Sequence, residues 1–360
     1  MRSALFLFVL HCFYSSAVGQ HDPQRNAVQQ IAAGDFEKFE KALMKADEED
    51  PETRFVRMMA ATERGKLEEA VEHGQAALDA GMPFARFVAG PREILAPLRE
   101  TKDWEKWNAG SGGDELLLLH GPMLGAVTDS AASVWLRTAG PSKVQVRIDG
   151  RVTSAVTTSK ETDFTAVVRV DGLAAKSEYD YSVLVDGKAA GGGTVKTYPS
   201  RGSGGKFNVA FGGGAGFVPQ WEYMWDTIRA EIPAALLMLG DNVYIDQPEF
   251  RLCHDYCYYR RQARTEWRRL VGSVPVYSIY DDHDFGKNDC VPGPEIESPP
   301  WKRKVWNIFR QNWANPSYGG GEDQPGCWYD FHIGDVHFIL LDGRYYRDRA
   351  SGSMLGPVQK

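Results

Sequence analysis

The sequence predicts a multidomain protein with a helical N-terminal segment, then a β-sandwich, then a layered α/β domain that is incomplete at its C-terminal side. Hydrophobic residues recur at helical spacing over residues 26–110 and alternate with a period of two over 115–199. Over residues 206–360, short apolar strands alternate with helical stretches. A chain of 360 residues is long enough for two or three domains.

Composition and charge exclude several classes of protein. With 43% hydrophobic and 25% charged residues, the chain is typical of globular proteins and not of disordered or fibrous ones. The formal net charge of −7 provides no basic surplus, so the composition argues against a nucleic-acid-binding module.

Residues 1–19 are predicted to be a signal peptide. Arg2 is followed by an apolar run, and the small residues Ala17 and Gly19 suit cleavage before Gln20. A membrane anchor is the alternative, but the apolar run is only about half the length that a bilayer span requires. We therefore expect an exported protein, periplasmic or extracellular, with no membrane span after cleavage.

Four cysteines follow the signal peptide: Cys253, Cys257, Cys290 and Cys327. In an exported protein four cysteines allow three disulfide pairings, and the sequence does not choose among them. A metal cluster of Cys253, His254 and Cys257 is the alternative, but a second spaced pair of ligands is missing. We expect structural thiols or a disulfide.

The helical segment contains two similar helix starts, Gly34–Glu37 and Gly65–Glu68, which lie 31 residues apart. The pattern is similar to tetratricopeptide-type helical arrays, whose period is about 34 residues. Such an array would bind a partner protein on its concave surface. A short helical cap packed on the next domain is the alternative.

Three stretches of the predicted sandwich alternate between apolar and polar residues: Ser133–Arg137, Lys143–Ile148 and Thr165–Val170. Turn formers such as Asp149-Gly150 separate them. The stretch that leads into Tyr179–Val183 resembles the tyrosine-bearing corner of immunoglobulin-like or fibronectin-like sandwiches.

Three apolar strands of the last domain run directly into acidic clusters. The clusters are Gly240-Asp241-Asn242-Val243-Tyr244, Asp281-Asp282-His283-Asp284 and Asp342-Gly343-Arg344. Functional sites of open α/β sheets lie beyond the carboxyl ends of the strands. We therefore expect all three clusters to line one crevice.

The chemistry of these clusters favours a metal site. Hydrolysis of a phosphate ester is well served by two metal ions about 3.5–4 Å apart, which need a bridging carboxylate. Asp241 is the candidate bridge, although an isolated Gly-Asp pair is more often a helix cap. The run Asp281–Asp284 is harder to explain without a cation, because its carboxylates repel each other. Arg344 suits either a surface ion pair or a phosphate oxygen.

In this order, the three clusters resemble the motifs of the PhoD-like alkaline phosphatases, a family of the metallophosphoesterase superfamily. The resemblance covers residues 115–360 and is most specific over Asp281–Asp289. It implies a PhoD-type N-terminal sandwich followed by an αββα metallophosphoesterase domain. It also implies hydrolysis of phosphate monoesters or diesters by a metal-activated water, with a metal pair such as iron and calcium.

The resemblance also implies a role for each matching residue. Asp241 would bridge the metals, Tyr244 would bind ferric iron through its phenolate, and Asp282 would bind the second metal. The catalytic His283 would face the phosphate or protonate the leaving group. The other residues are expected to orient the ligands or contact substrate: Asn242, Asp281, Asp284, Asn288, Asp342 and Arg344.

Two departures from the family pattern shape the functional hypotheses. Gly212–Gly216 stands where the family has its first metal ligand, although its backbone amides would suit a phosphate. His332 and His337 do not match the family's late metal motif and are predicted to be sheet residues. Because the late motif is missing, we expect the N-terminal portion of a longer protein or a truncated product.

Two functions follow from this reading. The first is a secreted phosphoesterase, a hydrolase of phosphoric ester bonds, with little or no activity expected from this chain alone. The alternative is an exported, catalytically inactive paralogue that binds a partner.

Overall fold

A computed structural model describes residues 22–111 and 116–359 of the chain. The signal peptide predicted at residues 1–19 lies outside the described residues. Within the described part, every helix is too short or too polar to cross a membrane.

The N-terminal part, called the helical segment below, consists of seven helices. They are α1 Pro23–Ala33, α2 Phe36–Leu43, α3 Pro51–Glu63, α4 Leu67–Asp79, α5 Phe84–Ala89, α6 Ala96–Arg99 and α7 Lys102–Gly110. The two predicted helix starts are observed at Phe36 and Leu67. Gly34 and Gly65 follow α1 and α3 with φ of 71°, a left-handed conformation that glycine adopts without strain. Each therefore ends one helix and lets the chain turn into the next.

Eight strands follow and form what we call the sheet segment. They are β1 Leu118–Gly125, β2 Ala131–Thr138, β3 Lys143–Ile148, β4 Arg151–Val152, β5 Val156–Thr157, β6 Thr165–Asp171, β7 Glu178–Val185 and β8 Lys188–Lys196. One antiparallel sheet has the order β1-β2-β6, and the other has the order β4-β3-β7-β8 with β5 also on β3. The three alternating stretches of the sequence lie in β2, β3 and β6. At the predicted corner, the Tyr179 hydroxyl accepts a hydrogen bond from the Ala174 amide at 2.9 Å.

The remaining elements form the α/β segment. They are β9 Val209–Gly212, α8 Met224–Ala230, β10 Ala235–Leu239, α9 Arg251–Ala263, α10 Thr265–Val271, β11 Val276–Ile279, α11 Asp282–Phe285, α12 Lys302–Asn312, β12 Tyr329–Ile333 and β13 Val336–Leu340. Strands β9, β10 and β11 form a parallel sheet with β10 in the middle. Their carboxyl ends therefore meet at one edge.

Strand β13 does not belong to this parallel sheet, which corrects the expectation of three acidic clusters behind neighbouring strands. It pairs with β12 as an antiparallel hairpin. The hairpin packs on β11, where the rings of Tyr277 and Phe331 stack 3.7 Å apart. The Tyr329 hydroxyl donates to the Ser278 carbonyl at 3.0 Å. Only the clusters after β10 and β11 therefore follow adjacent strands.

The helical segment packs on the α/β segment as a cap. Helix α1 contacts α9, and α5 contacts both α9 and β1. Buried Asp22 caps α1 by accepting from the Arg25 amide at 3.0 Å, and it also forms an ion pair with buried Arg260 of α9. These contacts agree with the alternative of a helical cap, and an array that binds a partner protein stays a prediction.

Cys253, Cys257, Cys290 and Cys327 are free thiols in the structure. Burial raises the pKa of Cys257 to about 12 and that of Cys290 to about 11. Burial also lowers the pKa of the neighbouring His254 to about 3, and its ring contacts the Pro248 carbonyl at 3.4 Å. Among the described residues, Cys253, His254 and Cys257 belong to no group that could hold a metal ion. We expected structural thiols or a disulfide, and the structure has thiols.

Asp163 joins all three segments in one buried ionic network. Its carboxylate contacts Arg92, between α5 and α6, at 2.6 Å and Arg137 of β2 at 3.0 Å. From α9 it accepts the Tyr259 hydroxyl at 2.6 Å and contacts Arg251 at 3.4 Å. Burial alone would raise the pKa of Asp163, but the guanidinium groups outweigh burial and lower it.

The lowered pKa of Asp163 predicts how stability depends on pH. We expect Asp163→Asn to reduce the free energy of unfolding at pH 7 by about 2–3 kcal/mol. The contribution is present above the usual carboxyl pKa of about 4 and is lost as pH falls through the lower folded-state value. Urea denaturation at neutral and acidic pH measures the difference.

Asp149→Asn provides the matched control, because Asp149 is exposed and has a similar positive φ of 50°, against 55° for Asp163. This variant is expected to change stability by less than about 0.5 kcal/mol. A destabilisation by Asp163→Asn that persists unchanged at acidic pH would show that the charge is not its cause.

Candidate metal centre

The centre forms where the loops after β10 and β11 touch. Gly240 has φ of 102°, and a Cβ atom on it would lie 2.4 Å from the Asp281 Cβ. Asp241 follows with φ of 50°. These positive φ angles turn the chain sharply, so the end of β10 passes directly against the end of β11.

This contact brings three predicted site residues together. Asp241, Asp282 and His283 each offer a ligand atom, and the three atoms lie within 4.8 Å of one another. Oδ1 of Asp241 is buried and has no hydrogen-bond partner in the described part of the chain. Burial, with a contribution from the carboxylates of Asp281 and Asp282, raises the pKa of Asp241 to about 6. An unpaired buried carboxylate oxygen is costly unless a cation binds it, so these residues fit a metal ion.

Asp284, in the short helix α11 that follows β11, is hydrogen-bonded to the loop after β10. It accepts from the Val243 amide at 2.9 Å and from the Asn242 amide at 3.1 Å. With Asp281 it also forms a capping box at the start of α11. Burial, assisted by the charge of Asp241, raises the pKa of Asp284 well above its usual value. Asn242 is buried, and its side-chain amide donates to the Ile279 carbonyl at 2.8 Å. Both residues hold the backbone of the site in place.

Tyr244 and His283 lie against each other beside Asp241. Their rings are 4.4 Å apart, and the Tyr244 hydroxyl donates to Oδ2 of Asp241 at 3.4 Å. Burial and the charge of Asp241 raise the pKa of Tyr244, so without a metal the side chain is a phenol. Burial opposes a charge on His283, but the hydrogen bond to Asp246 and the surrounding carboxylates outweigh it and raise the pKa of His283.

Arg344 lies in the centre, whereas Asp342 does not. The Arg344 guanidinium forms ion pairs with Asp281 and, at 3.1 Å, with Asp282. Its side chain is only 9% exposed, so the surface ion pair that was one alternative is wrong. Asp342 is fully buried and accepts from the Tyr280 hydroxyl and, at 2.7 Å, from the Cys327 amide. It anchors the chain beneath the site.

Two further expectations concern Asn288 and the glycine run. Asn288 is exposed and donates to Asp289 at 2.9 Å, and its contact with substrate stays a prediction. In the glycine run, the Gly214 amide donates to the Gly240 carbonyl at 3.2 Å and the Ala215 amide donates to the Asp241 carbonyl at 2.8 Å. Because these two amides are already paired, they do not bind a phosphate.

Two residues of the site, Asp246 and Arg25, are not among the candidates that the sequence indicated. Asp246 contacts Nδ1 of His283 and lies only two residues beyond Tyr244, so the acidic loop itself was a usable signal. Arg25 contacts Asp246 from 221 residues away, and nothing local in the sequence indicates this contact.

A second group, Asp330, His332 and His337, also brings ligand atoms within 4.8 Å of one another, on the hairpin β12–β13. The two imidazole rings stack 4.0 Å apart at an interplanar angle of 11°. A metal ion lies in the plane of each imidazole that binds it, so these nearly parallel rings do not share an ion. As predicted, the two histidines are sheet residues.

Comparisons with known proteins describe parts of the chain. Residues 115–201 match the family model of a domain of unknown function, DUF7800. A search of curated proteins finds no match. Two structural matches have TM-scores too low to indicate a shared fold. They are the sensor domain of the anti-sigma factor RsgI4 from Pseudobacteroides cellulosolvens and the carbohydrate acetylesterase XAC1771 from Xanthomonas citri. The first has 14% identity and TM-score 0.19, covering 23% of this chain and 92% of that one. The second has 16% identity and TM-score 0.20, covering 44% and 40%.

The structure of PhoD is similar over a larger part of the chain. The match has a TM-score of 0.54 at 15% identity and covers 65% of this chain. It covers 52% of the PhoD chain, so this chain spans about half the length of that protein. At this identity the likeness concerns the fold alone, and the chain has a PhoD-like fold over about two thirds of its length.

Proposed function

We propose that the chain is part of an exported, metal-dependent phosphoesterase that hydrolyses phosphate monoesters or diesters. The observation that carries this proposal is the convergence of Asp241, Asp282 and His283, with a buried Asp241 oxygen that has no hydrogen-bond partner among the described residues. The PhoD-like fold supports it independently of the site residues. The α/β segment would then be the front part of an αββα metallophosphoesterase domain. The Tyr179 hydrogen bond supports an immunoglobulin-like or fibronectin-like sandwich before it.

Asp241, Tyr244 and Asp282 would hold the metal ions, with iron and calcium as the proposed pair. When bound, the metals would supply Lewis-acid chemistry, which lowers the pKa of a water molecule and stabilises negative charge on phosphate oxygens. The protein's own part is positional. The backbone bonds to Asp284 fix both ligand loops, and the ion pairs from Arg344 orient the Asp281 and Asp282 carboxylates.

His283 is proposed to face the phosphate or the leaving group. Asp246 accepts a hydrogen bond from its Nδ1, and within the described part of the chain Nε2 has no hydrogen-bond partner. A carboxylate that contacts one imidazole nitrogen raises the proton affinity of the ring. His283 is therefore suited to hold a proton at Nε2 and to release it to a leaving-group oxygen.

The proposal is tested on the purified chain by elemental analysis and by calorimetric titration with iron and calcium salts. We expect bound metal in the wild type and an affinity reduced at least about 100-fold in Asp241→Ala. Asp330→Ala is the matched control, because it removes a carboxylate from the histidine pair on the hairpin. Equal metal binding by both variants would contradict the proposed site.

Hydrolysis assays separate the enzyme from the alternative of an inactive binding protein. That alternative is supported by Gly212–Gly216, which offers no side-chain ligand where the resembled family has one. Turnover of p-nitrophenyl phosphate or its bis ester that disappears in Asp241→Ala supports the enzyme. Metal binding without turnover supports the alternative, in which a partner protein would bind the exposed side of the helical segment.

A further inference from the structure

We infer that Arg25, on the first helix of the helical segment, is a positioning residue that acts on His283 through Asp246. The helical segment would then help to position a side chain of the metal centre, in addition to packing on the α/β segment. This inference rests on the proposed function for the role of His283, but the chain of contacts stands on the structure alone.

The contacts of Arg25 converge on the loop that carries Tyr244 and Asp246. Its Nη1 atom contacts Oδ2 of Asp246 at 3.1 Å and donates to the Tyr244 carbonyl at 3.3 Å. The guanidinium also lies 5.8 Å from the centre of the Tyr244 ring. The Arg25 side chain is only 6% exposed, so water screens these interactions weakly.

Asp246 transmits this interaction, because its two carboxylate oxygens have different partners. Oδ2 contacts Arg25, and Oδ1 contacts Nδ1 of His283 at 2.5 Å. An ionised carboxylate only accepts hydrogen bonds, so Nδ1 of His283 carries the proton in the neutral ring. The arrangement thereby fixes both the tautomer and the rotation of His283. Without Arg25, the Asp246 side chain, which is 20% exposed, would be free to turn towards solvent.

Two further contacts fix the position of helix α1 relative to the loop 244–246 and to α9. The Gln29 side chain donates to the Ile245 carbonyl at 3.0 Å, one turn beyond Arg25. At the N-terminal end of α1, three residues before Arg25, Asp22 pairs with Arg260 of α9. The Ile245 and Asp246 amides in turn donate to the His283 carbonyl at 2.9 and 3.2 Å. The loop 244–246 is therefore bound on one side by α1 and on the other by His283.

The test uses the full chain with Arg25→Ala, Arg25→Lys and Asp246→Asn, and its first readout does not require activity. Nitrogen-15 NMR of the imidazole side chains reports the tautomer of His283 at alkaline pH, where the ring is neutral. The His283 signal is assigned by its loss in His283→Gln. We expect Nδ1–H in the wild type, a mixture of tautomers in Arg25→Ala, and a return towards Nδ1–H in Arg25→Lys. Asp246→Asn is expected to shift the ring to Nε2–H, because an amide can donate to Nδ1.

The second readout is steady-state kinetics with metal supplied. We expect Arg25→Ala to lower kcat about 10-fold with KM changed less than about twofold, and Arg25→Lys to recover part of the loss. Arg54→Ala is the matched control, because Arg54 also forms an ion pair in the helical segment, with Glu49 at 2.8 Å, away from the loop. It should leave the His283 tautomer and kcat unchanged.

The outcomes separate this inference from the proposed function. An unaltered His283 tautomer in Arg25→Ala overturns the inference, and a fall in melting temperature alone would then mark Arg25 as merely structural. If every variant and the wild type fail to hydrolyse phosphate esters, the proposed function fails. The NMR result would still decide whether Arg25 positions His283.

Discussion

Gly240→Ala is expected to destroy the metal centre, with metal affinity reduced at least about 100-fold and stability reduced by about 2–4 kcal/mol. The added Cβ would lie 2.4 Å from the Asp281 Cβ and 2.7 Å from the Asp281 amide nitrogen. Because the obstacle includes backbone, it cannot be relieved by rotating a side chain. The loops after β10 and β11 would have to separate, and Asp241 would move away from Asp282. Calorimetric metal titration and urea denaturation measure the two effects.

Gly81→Ala controls for the backbone strain in this experiment. Gly81 has φ of 94°, close to the 102° of Gly240, but a Cβ atom there would meet nothing within 4 Å. The control should cost only the strain of a left-handed residue, about 1–2 kcal/mol, and leave metal binding unchanged. If both variants bind metal as the wild type does, the close approach of the two loops is not needed for the site.

Arg137→Met is expected to reduce the free energy of unfolding by about 3–5 kcal/mol. The Arg137 side chain is fully buried and contacts Asp163 at 3.0 Å, Asn312 at 2.9 Å and Nδ1 of His120 at 2.7 Å. Burial and the Arg137 charge lower the pKa of His120 well below its usual value, so the imidazole is neutral and accepts this bond. Removing the guanidinium leaves several buried acceptors without a donor, which costs more than a lost contact.

Arg169→Met on the neighbouring strand β6 provides the comparison. Arg169 pairs with Asp171 at 2.8 Å, but its side chain is 55% exposed, and exposed ion pairs contribute little. We expect a change below about 0.5 kcal/mol, measured by urea denaturation under the same conditions. Equal stability of the two variants would mean that the network around Arg137 relaxes or admits water at no net cost.

Local sequence patterns predicted much of the fold. The alternating stretches lie in β2, β3 and β6, and the two helix starts lie at Phe36 and Leu67. These predictions succeed because backbone conformation depends on near neighbours, through side-chain periodicity and the tolerance of glycine for positive φ. The acidic residues after β10 and β11 were also predicted from the sequence. They directly follow apolar strands, and the carboxyl ends of parallel strands meet at one edge of a sheet.

Contacts between distant parts of the chain were not predictable in this way. Strand β13 lies in a separate hairpin, and Asp342, which follows it, is fully buried. Arg344, two residues later, forms ion pairs with Asp281 and Asp282. The amides of Gly214 and Ala215, which look free in the sequence, are paired with the carbonyls of Gly240 and Asp241. Which donors remain free depends on which backbone segments pack together.

The amino-acid order alone established the strands, the acidic loops at their ends and the candidate ligands Asp241 and Asp282. Tertiary packing of the described residues established which of these groups share a site, and it added Asp246 and Arg25 to them. The reason is physical: a periodic pattern encodes the direction of a side chain relative to its own element. The partner of a buried charge such as Arg25 is decided by which elements exclude water together.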